Sequence, residues 1–348
     1  MDLQILWFVL VAVLWSGYFL LEGFDFGVGM LLPFLPRNEG QRSAMFQSIG
    51  PVWDGNEVWL VVAAGATFAA FQTWYATMFS GFYLALLLIL FCLIIRVLSF
   101  EWREKAESAR WRKAWTWANT LGSFGASFVW GVGLSALLYG VPINSSGDFS
   151  GDFFDLFTGY TVLGGISVVL LFVYHGATYL TLRTTGDLCE RTALTARRVA
   201  LAAALVGGGF LAWTVAVAVD RNDKGLAAPL VPALIGIGAL VLSIVATVGR
   251  RSGWAFALTA VATVAWVATL FASLYPRVMV SSTDFANSLT VDNASSSHYT
   301  LAVLSVVALI CLPVVLLYQG WTYHVFRARI GGEELPSGAG QSGSATSS

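Results

Sequence analysis

Two short acidic words stand out in an otherwise apolar chain. In Leu20-Leu21-Glu22-Gly23-Phe24-Asp25-Phe26-Gly27, Glu22 and Asp25 are three residues apart and share a helix face, while Gly23 and Gly27 leave room for a neighbouring helix. A second run, Gly50-Pro51-Val52-Trp53-Asp54-Gly55-Asn56-Glu57-Val58-Trp59-Leu60, again spaces its acids three apart. Asp54 and Glu57 can form a second polar patch there, to which the Asn56 amide adds a donor and an acceptor. An ionised group in hydrocarbon costs at least about 2.5 to 3.5 kcal/mol, so acids in such surroundings need a reason to be kept. One reason is proton relay: low-dielectric surroundings favour the neutral acid, charged and hydrogen-bonding partners favour the carboxylate, and a group poised between the two can pass a proton on. The other is a static polar lock that fixes helix register, with Arg96 as countercharge. Trp53 and Trp59 flank the second acidic pair; they could line a path for a small apolar molecule or serve only as packing.

Histidine and cysteine offer less. His175, His298 and His324 are the three histidines; the last two are about 39 Å apart by helix rise, too far to share one haem. His175, followed by Gly176 and Ala177, is expected to be a hydrogen-bonded interhelical residue rather than an axial ligand. Cys92, Cys189 and Cys311 are widely separated and match neither a metal site nor a disulfide framework, so no metal is expected.

The elements that position these residues follow from composition. Of 348 residues, 57% are apolar, 11% are charged and 14 are tryptophan, which a water-soluble domain with a polar shell could hardly carry. A bilayer core of about 30 Å needs roughly 20 mainly apolar residues per helix. Counting such runs predicts an all-α polytopic membrane protein of nine transmembrane helices, at residues 5–33, 50–71, 74–99, 114–140, 159–184, 198–219, 229–248, 253–274 and 299–326. The expected arrangement is two four-helix groups, spans one to four and five to eight, with span nine peripheral. Met1-Asp2-Leu3-Gln4 lacks a basic n-region, so the first span is expected to remain.

Charge placement orients the bundle. With the N-terminus outside, the loops after odd-numbered spans and the C-terminal segment hold fifteen Arg and Lys residues, against Arg221, Lys224 and Arg277 in the outer loops. That bias puts the C-terminus in the cytoplasm. A single transmembrane domain is expected over 1–330, and the Gly/Ser-rich stretch 331–348 is expected to be disordered. Depth then links the acids: a helix entering from outside near residue 5 reaches Asp25 only after about 30 Å of rise, and the second span starts from that same side. Four carboxylates and Arg96 are thus expected at one level near the cytoplasmic surface. No nucleic-acid partner is expected; membrane lipid is.

The longer words carry a resemblance. Glu22-Gly23-Phe24-Asp25-Phe26-Gly27-Val28-Gly29, Trp53-Asp54-Gly55-Asn56-Glu57-Val58-Trp59-Leu60 and Phe79-Ser80-Gly81-Phe82-Tyr83 resemble subunit II of the cytochrome bd quinol oxidases. The likeness continues through Arg110-Trp111-Arg112, Tyr139-Gly140-Val141-Pro142, His175-Gly176-Ala177-Thr178-Tyr179-Leu180, Tyr275-Pro276, Ser281-Ser282 and Ser288-Leu289-Thr290. It implies a nine-helix subunit paired with a similar, haem-bearing subunit I that carries haems b and d and oxidises quinol, in some members with a small accessory subunit. This chain would bind no haem; some members hold a structural quinone in this subunit, which nothing in these residues reveals. The resemblance also implies that Asp25 and Asp54 take part in proton supply and that Trp59 lies near an oxygen route, whereas Glu57 stands where other members carry a neutral polar residue. Two rival readings remain: a purely structural membrane partner, and a proton-coupled transporter using the same acids. Transporters often show inverted repeats around a midplane site, and here the Gly/Pro interruptions are not paired between halves.

Overall fold

The computed structural model describes residues 2–222 and 225–331; Lys224 and the expected tail from residue 332 lie outside the described residues. The chain runs through α1 (Leu3–Leu31), α2 (Glu39–Ile49), α3 (Trp53–Ala70), α4 (Gln72–Gly81), α5 (Tyr83–Trp102), α6 (Ala109–Tyr139), α7 (Gly159–Arg183), α8 (Gly186–Asn222), α9 (Ala227–Val248) and α10 (Ser252–Leu274). A two-stranded antiparallel pair follows, β1 (Arg277–Met279) with β2 (Leu289–Thr290), then the single turn α11 (Val291–Ala294) and the long α12 (His298–Val325).

Among the described residues eight helices are long and apolar enough to cross a bilayer: α1, α5 to α10 and α12. The nine-span expectation differs from this in three places, each with a local cause. The run 50–71 contains α3, whose first turns spend Asp54, Asn56 and Glu57 and so lower its apolar content. The run 74–99 is divided: α4 ends at Gly81, and Phe82 (φ −95°, ψ 16°) leaves the helical region before α5 begins. The run 198–219 is the middle of α8, which starts at Gly186 because polar residues between Arg191 and Arg198 propagate a helix as well as apolar ones do.

Helix α1 lies at the centre, packed on α3, α6, α7 and α10, while α5 to α10 follow one another as neighbours. Burial separates inner from outer helices: 72% of the most apolar window of α6 is buried within the chain, against 6% for α12, which leans on α3 and α1 alone at its main contacts. The α1–α7 crossing is the closest approach near the acids. A Cβ at Gly27 would lie 2.9 Å from Gly176 Cα and press on the Phe172 carbonyl, so both helices need glycine there. Gly27→Ala is expected to destabilise the subunit by about 1–3 kcal/mol through overpacking. Fluorescence-detected size exclusion would show it as loss of the assembled peak after mild heating, and an unchanged profile would mean the helices can part.

The loops sort to two ends. At one end Arg103 pairs with Glu39 of α2, Arg37 Nη1 lies 3.3 Å from Asp187, Arg183 Nη1 donates to Ala328 O at 2.6 Å and Arg197 Nη2 to Val248 O at 3.0 Å. At the other, Val141 N donates to Val280 O (3.0 Å), Thr77 Oγ1 to Gly147 O (2.7 Å) and Gln4 Nε2 to Ser295 Oγ (2.6 Å). The arginine-rich loops therefore share one end, and the Ser-, Asn- and Asp-containing loops the other.

Candidate functional site: a buried acid–arginine cluster

Three helices converge beneath the arginine-rich end. The last turns of α1 carry Glu22 and Asp25, the first turns of α3 carry Asn56 and Glu57, and α5 carries Arg96. Glu22, Asp25, Asn56 and Arg96 are all fully buried. Arg96 Nη1 forms an ion pair with Glu22 and lies 3.9 Å from Glu57 Oε2. Its guanidinium also sits over the Phe26 ring, 4.8 Å from the centroid, so an aromatic face covers the side not used by carboxylates.

Asn56 links the acids to the outer helix. Its Nδ2 donates to Asp25 Oδ2 at 2.7 Å and to Leu21 O at 3.3 Å, and its Oδ1 accepts from Gln319 Nε2 at 2.9 Å and from Tyr323 OH at 2.7 Å. All of the amide's capacity is directed, which fixes the orientation that hands its N–H groups to Asp25. Gln319 and Tyr323 are four residues apart on α12 and half-buried, so they close the cluster on its outer side. Sequence reasoning missed both; a glutamine and a tyrosine on one face of an otherwise apolar span were the available signal.

Glu22, Asp25 Oδ1 and the Arg96 nitrogens are enclosed by the chain, with Glu22 and Arg96 paired to each other. One turn back along α1, Tyr18 OH is also buried, and the ring of Trp130 of α6 packs edge-on to Tyr18 at 6.0 Å. Buried polar atoms of this kind are ordinarily met by internal water. Tyr18, four residues before Glu22 on the same face, extends the polar column deeper into the bundle; it too escaped the sequence reading. Glu57 has 18% of its side chain exposed, which gives the cluster one member in touch with the outside.

Asp54 corrects the expectation of four converging acids. It is exposed, in the first turn of α3, and is outside the buried group. The two tryptophans also part company. Trp53 is half-buried and stacks on Phe100 (5.3 Å, 11°), whereas Trp59 is buried against Gly17 and lines an apolar cavity of about 680 Å³ with Ser16, Leu20 and Phe271. His175 is fully buried; Thr259 Oγ1 lies 2.8 Å from Nδ1, Leu20 O 3.3 Å from Nε2, and Phe256 stacks on the ring at 4.8 Å. Both ring nitrogens are thus engaged between α1, α7 and α10, an interhelical tie.

These features define a polytopic helical membrane protein with an internal ionisable site set toward one end. The family model described as cytochrome bd terminal oxidase subunit II matches residues 3–326. Cytochrome bd ubiquinol oxidase subunit 2 of Bacillus subtilis is 42% identical over 336 residues, covering 96% of this chain and 98% of the relative. Cytochrome bd-I ubiquinol oxidase subunit 2 of Escherichia coli is 37% identical over 365 residues, covering 96% of each. Among solved structures, the bd oxidase from Geobacillus thermodenitrificans has the same fold, with a TM-score of 0.64 at 18% identity over 94% of this chain and 99% of that one. The chain belongs to the cytochrome bd terminal oxidase subunit II family. It is a component of a membrane oxidoreductase complex of the bacterial inner membrane, and the family implies haems in a partner subunit I.

Proposed function

We propose that this chain pairs with a haem-bearing subunit I in a terminal quinol oxidase of an aerobic respiratory chain, and that its buried acid–arginine cluster carries cytoplasmic protons toward the partner's oxygen-reducing centre. In this reading the arginine-rich end faces the cytoplasm, as the positive-inside bias requires, and the N-terminus lies outside. Trp53–Ala70 crosses as a ninth span, its acids near the inner surface, and α12 is the peripheral helix beside two four-helix groups.

The observation that supports the proposal is the placement of the acids: Glu22 and Asp25 are fully buried, Glu57 keeps 18% of its side chain exposed, and Arg96 lies between Glu22 and Glu57. A register lock needs one matched pair, whereas here three acids surround one arginine. Glu57, partly exposed, is the entrance; Arg96 sets the charge of the interior; Glu22 and Asp25 hold protons behind it; Asn56 keeps Asp25 oriented. Trp59 and its apolar cavity would serve oxygen movement, since a small nonpolar molecule partitions into such space. The haems, when present in subunit I, supply the electron chemistry, and the residues of this chain only hold and move protons.

Exposure separates Asp54 from the rest. Asp54→Asn is expected to change quinol-driven oxygen uptake by less than about threefold, because an exposed carboxylate is replaceable by water and its neighbours. Oxygen-electrode assays on the purified complex check this. A loss as large as that of a buried acid would make Asp54 an obligatory member and move the entrance to it.

A further inference from the structure

The α9–α10 hairpin ends on the arginine-rich side in a basic cavity of about 210 Å³ lined by Arg250, Arg251, Ser252, Arg329, Glu190 and Thr181. Beside it lies an apolar groove of about 540 Å³ formed by Leu242, Val245, Trp254 and Leu258, and Arg251 belongs to both. The two hollows together have the outline of a molecule with an anionic head and a hydrocarbon tail. We propose that this hairpin binds an anionic phospholipid, its phosphate held by Arg250, Arg251 and Arg329 and an acyl chain lying in the groove past Trp254.

Several independent features support one occupant of that chemistry. Three arginines face one acid: Arg250 Nη1 is 3.5 Å from Glu190 Oε1 and both side chains are more than half exposed, so that contact neutralises little of the basic charge. Arg329 Nε donates to Leu182 O at 3.1 Å, which holds its guanidinium at the cavity instead of trailing into water. The N-terminus of α10 opens at Ser252 with no side-chain cap, leaving backbone N–H groups and the positive end of a 23-residue helix toward the cavity. Trp254 is 66% exposed at the same level, where an indole suits the boundary between headgroups and chains. A free phosphate would use the basic half alone; only a lipid uses the groove as well.

The purified, delipidated oxidase complex tests this by thermal unfolding during titration with phosphatidylglycerol, phosphatidylcholine or inorganic phosphate. Phosphatidylglycerol is expected to raise the midpoint in a saturable manner, and the other two to leave it unchanged. In the double variant Arg250→Gln/Arg251→Gln the apparent affinity for phosphatidylglycerol is expected to fall about 30-fold, the combined effect of two basic residues near an anionic headgroup. Val245→Trp, a substitution at an exposed position that fills the groove while leaving the arginines, is expected to weaken it as well. Arg251→Lys keeps the charge and is expected to keep the response. An equal shift with phosphate or phosphatidylcholine on the wild-type complex would overturn the proposal whatever the variants do, as would an undiminished phosphatidylglycerol response in the double variant.

Discussion

Asp25→Asn is expected to lower quinol-driven oxygen uptake by about a hundredfold, the usual scale for removing a group that must accept and release a proton, with haem content and yield of the complex unchanged. The substitution is conservative in shape. Asp25 Oδ2 accepts from Asn56 Nδ2 at 2.7 Å, and an asparagine oxygen can accept the same bond, so the α1–α3 contact survives. What disappears is the capacity to carry a proton in a position fully screened from solvent. Asp25→Glu keeps that capacity and should recover part of the rate. Oxygen-electrode rates paired with haem spectra decide the matter: low rate at full haem supports relay, whereas loss of the complex itself makes Asp25 part of a lock.

The second large effect concerns stability. Arg96→Met leaves Glu22 fully buried without its cation and Glu57 without a countercharge 3.9 Å away. Removing one partner of a buried pair typically costs about 3–5 kcal/mol, a large share of a domain's net stability. The purified complex should therefore unfold at a clearly lower temperature or fail to assemble. Arg96→Met combined with Glu22→Gln should regain much of the loss, because no charge is then stranded; the coupling between the two changes measures the pair. A midpoint unchanged by Arg96→Met would mean that Glu22 holds its proton at all times and that Arg96 is not its partner.

Much of the site could be read from residue order alone. Glu22, Asp25 and Arg96 are charges inside apolar runs, and helix rise places them at one level. Asp54 shows where spacing stops being enough. Its separation of three from Glu57 says that the two share a face, but not which way that face turns. Asn56 lies two residues, or about 200° of helix, beyond Asp54. Once Asn56 is turned inward to bond Asp25, Asp54 must point out and Glu57 is left between the two. The role of Gln319 and Tyr323 depends on how α12 docks, a tertiary fact that no local pattern encodes. By contrast α2 had a legible signal: Asn38 accepts from Gln41 N at 2.8 Å while Gln41 Oε1 accepts from Arg37 N at 2.8 Å, an N-terminal cap written in the spacing Asn38-Glu39-Gly40-Gln41. The division at Phe82 had no proline to announce it.

Proton uptake during a single turnover addresses the central claim without the complications of steady state. The fully reduced complex is mixed with oxygen in weakly buffered solution containing a pH-sensitive dye, and dye and haem signals are followed together for wild type and Asp25→Asn. Proton transfer through the cluster predicts that the variant retains the initial haem–oxygen reaction but loses or greatly slows the dye signal. Uptake at the wild-type rate in the variant would contradict it, and the buried acids of this subunit would then be structural.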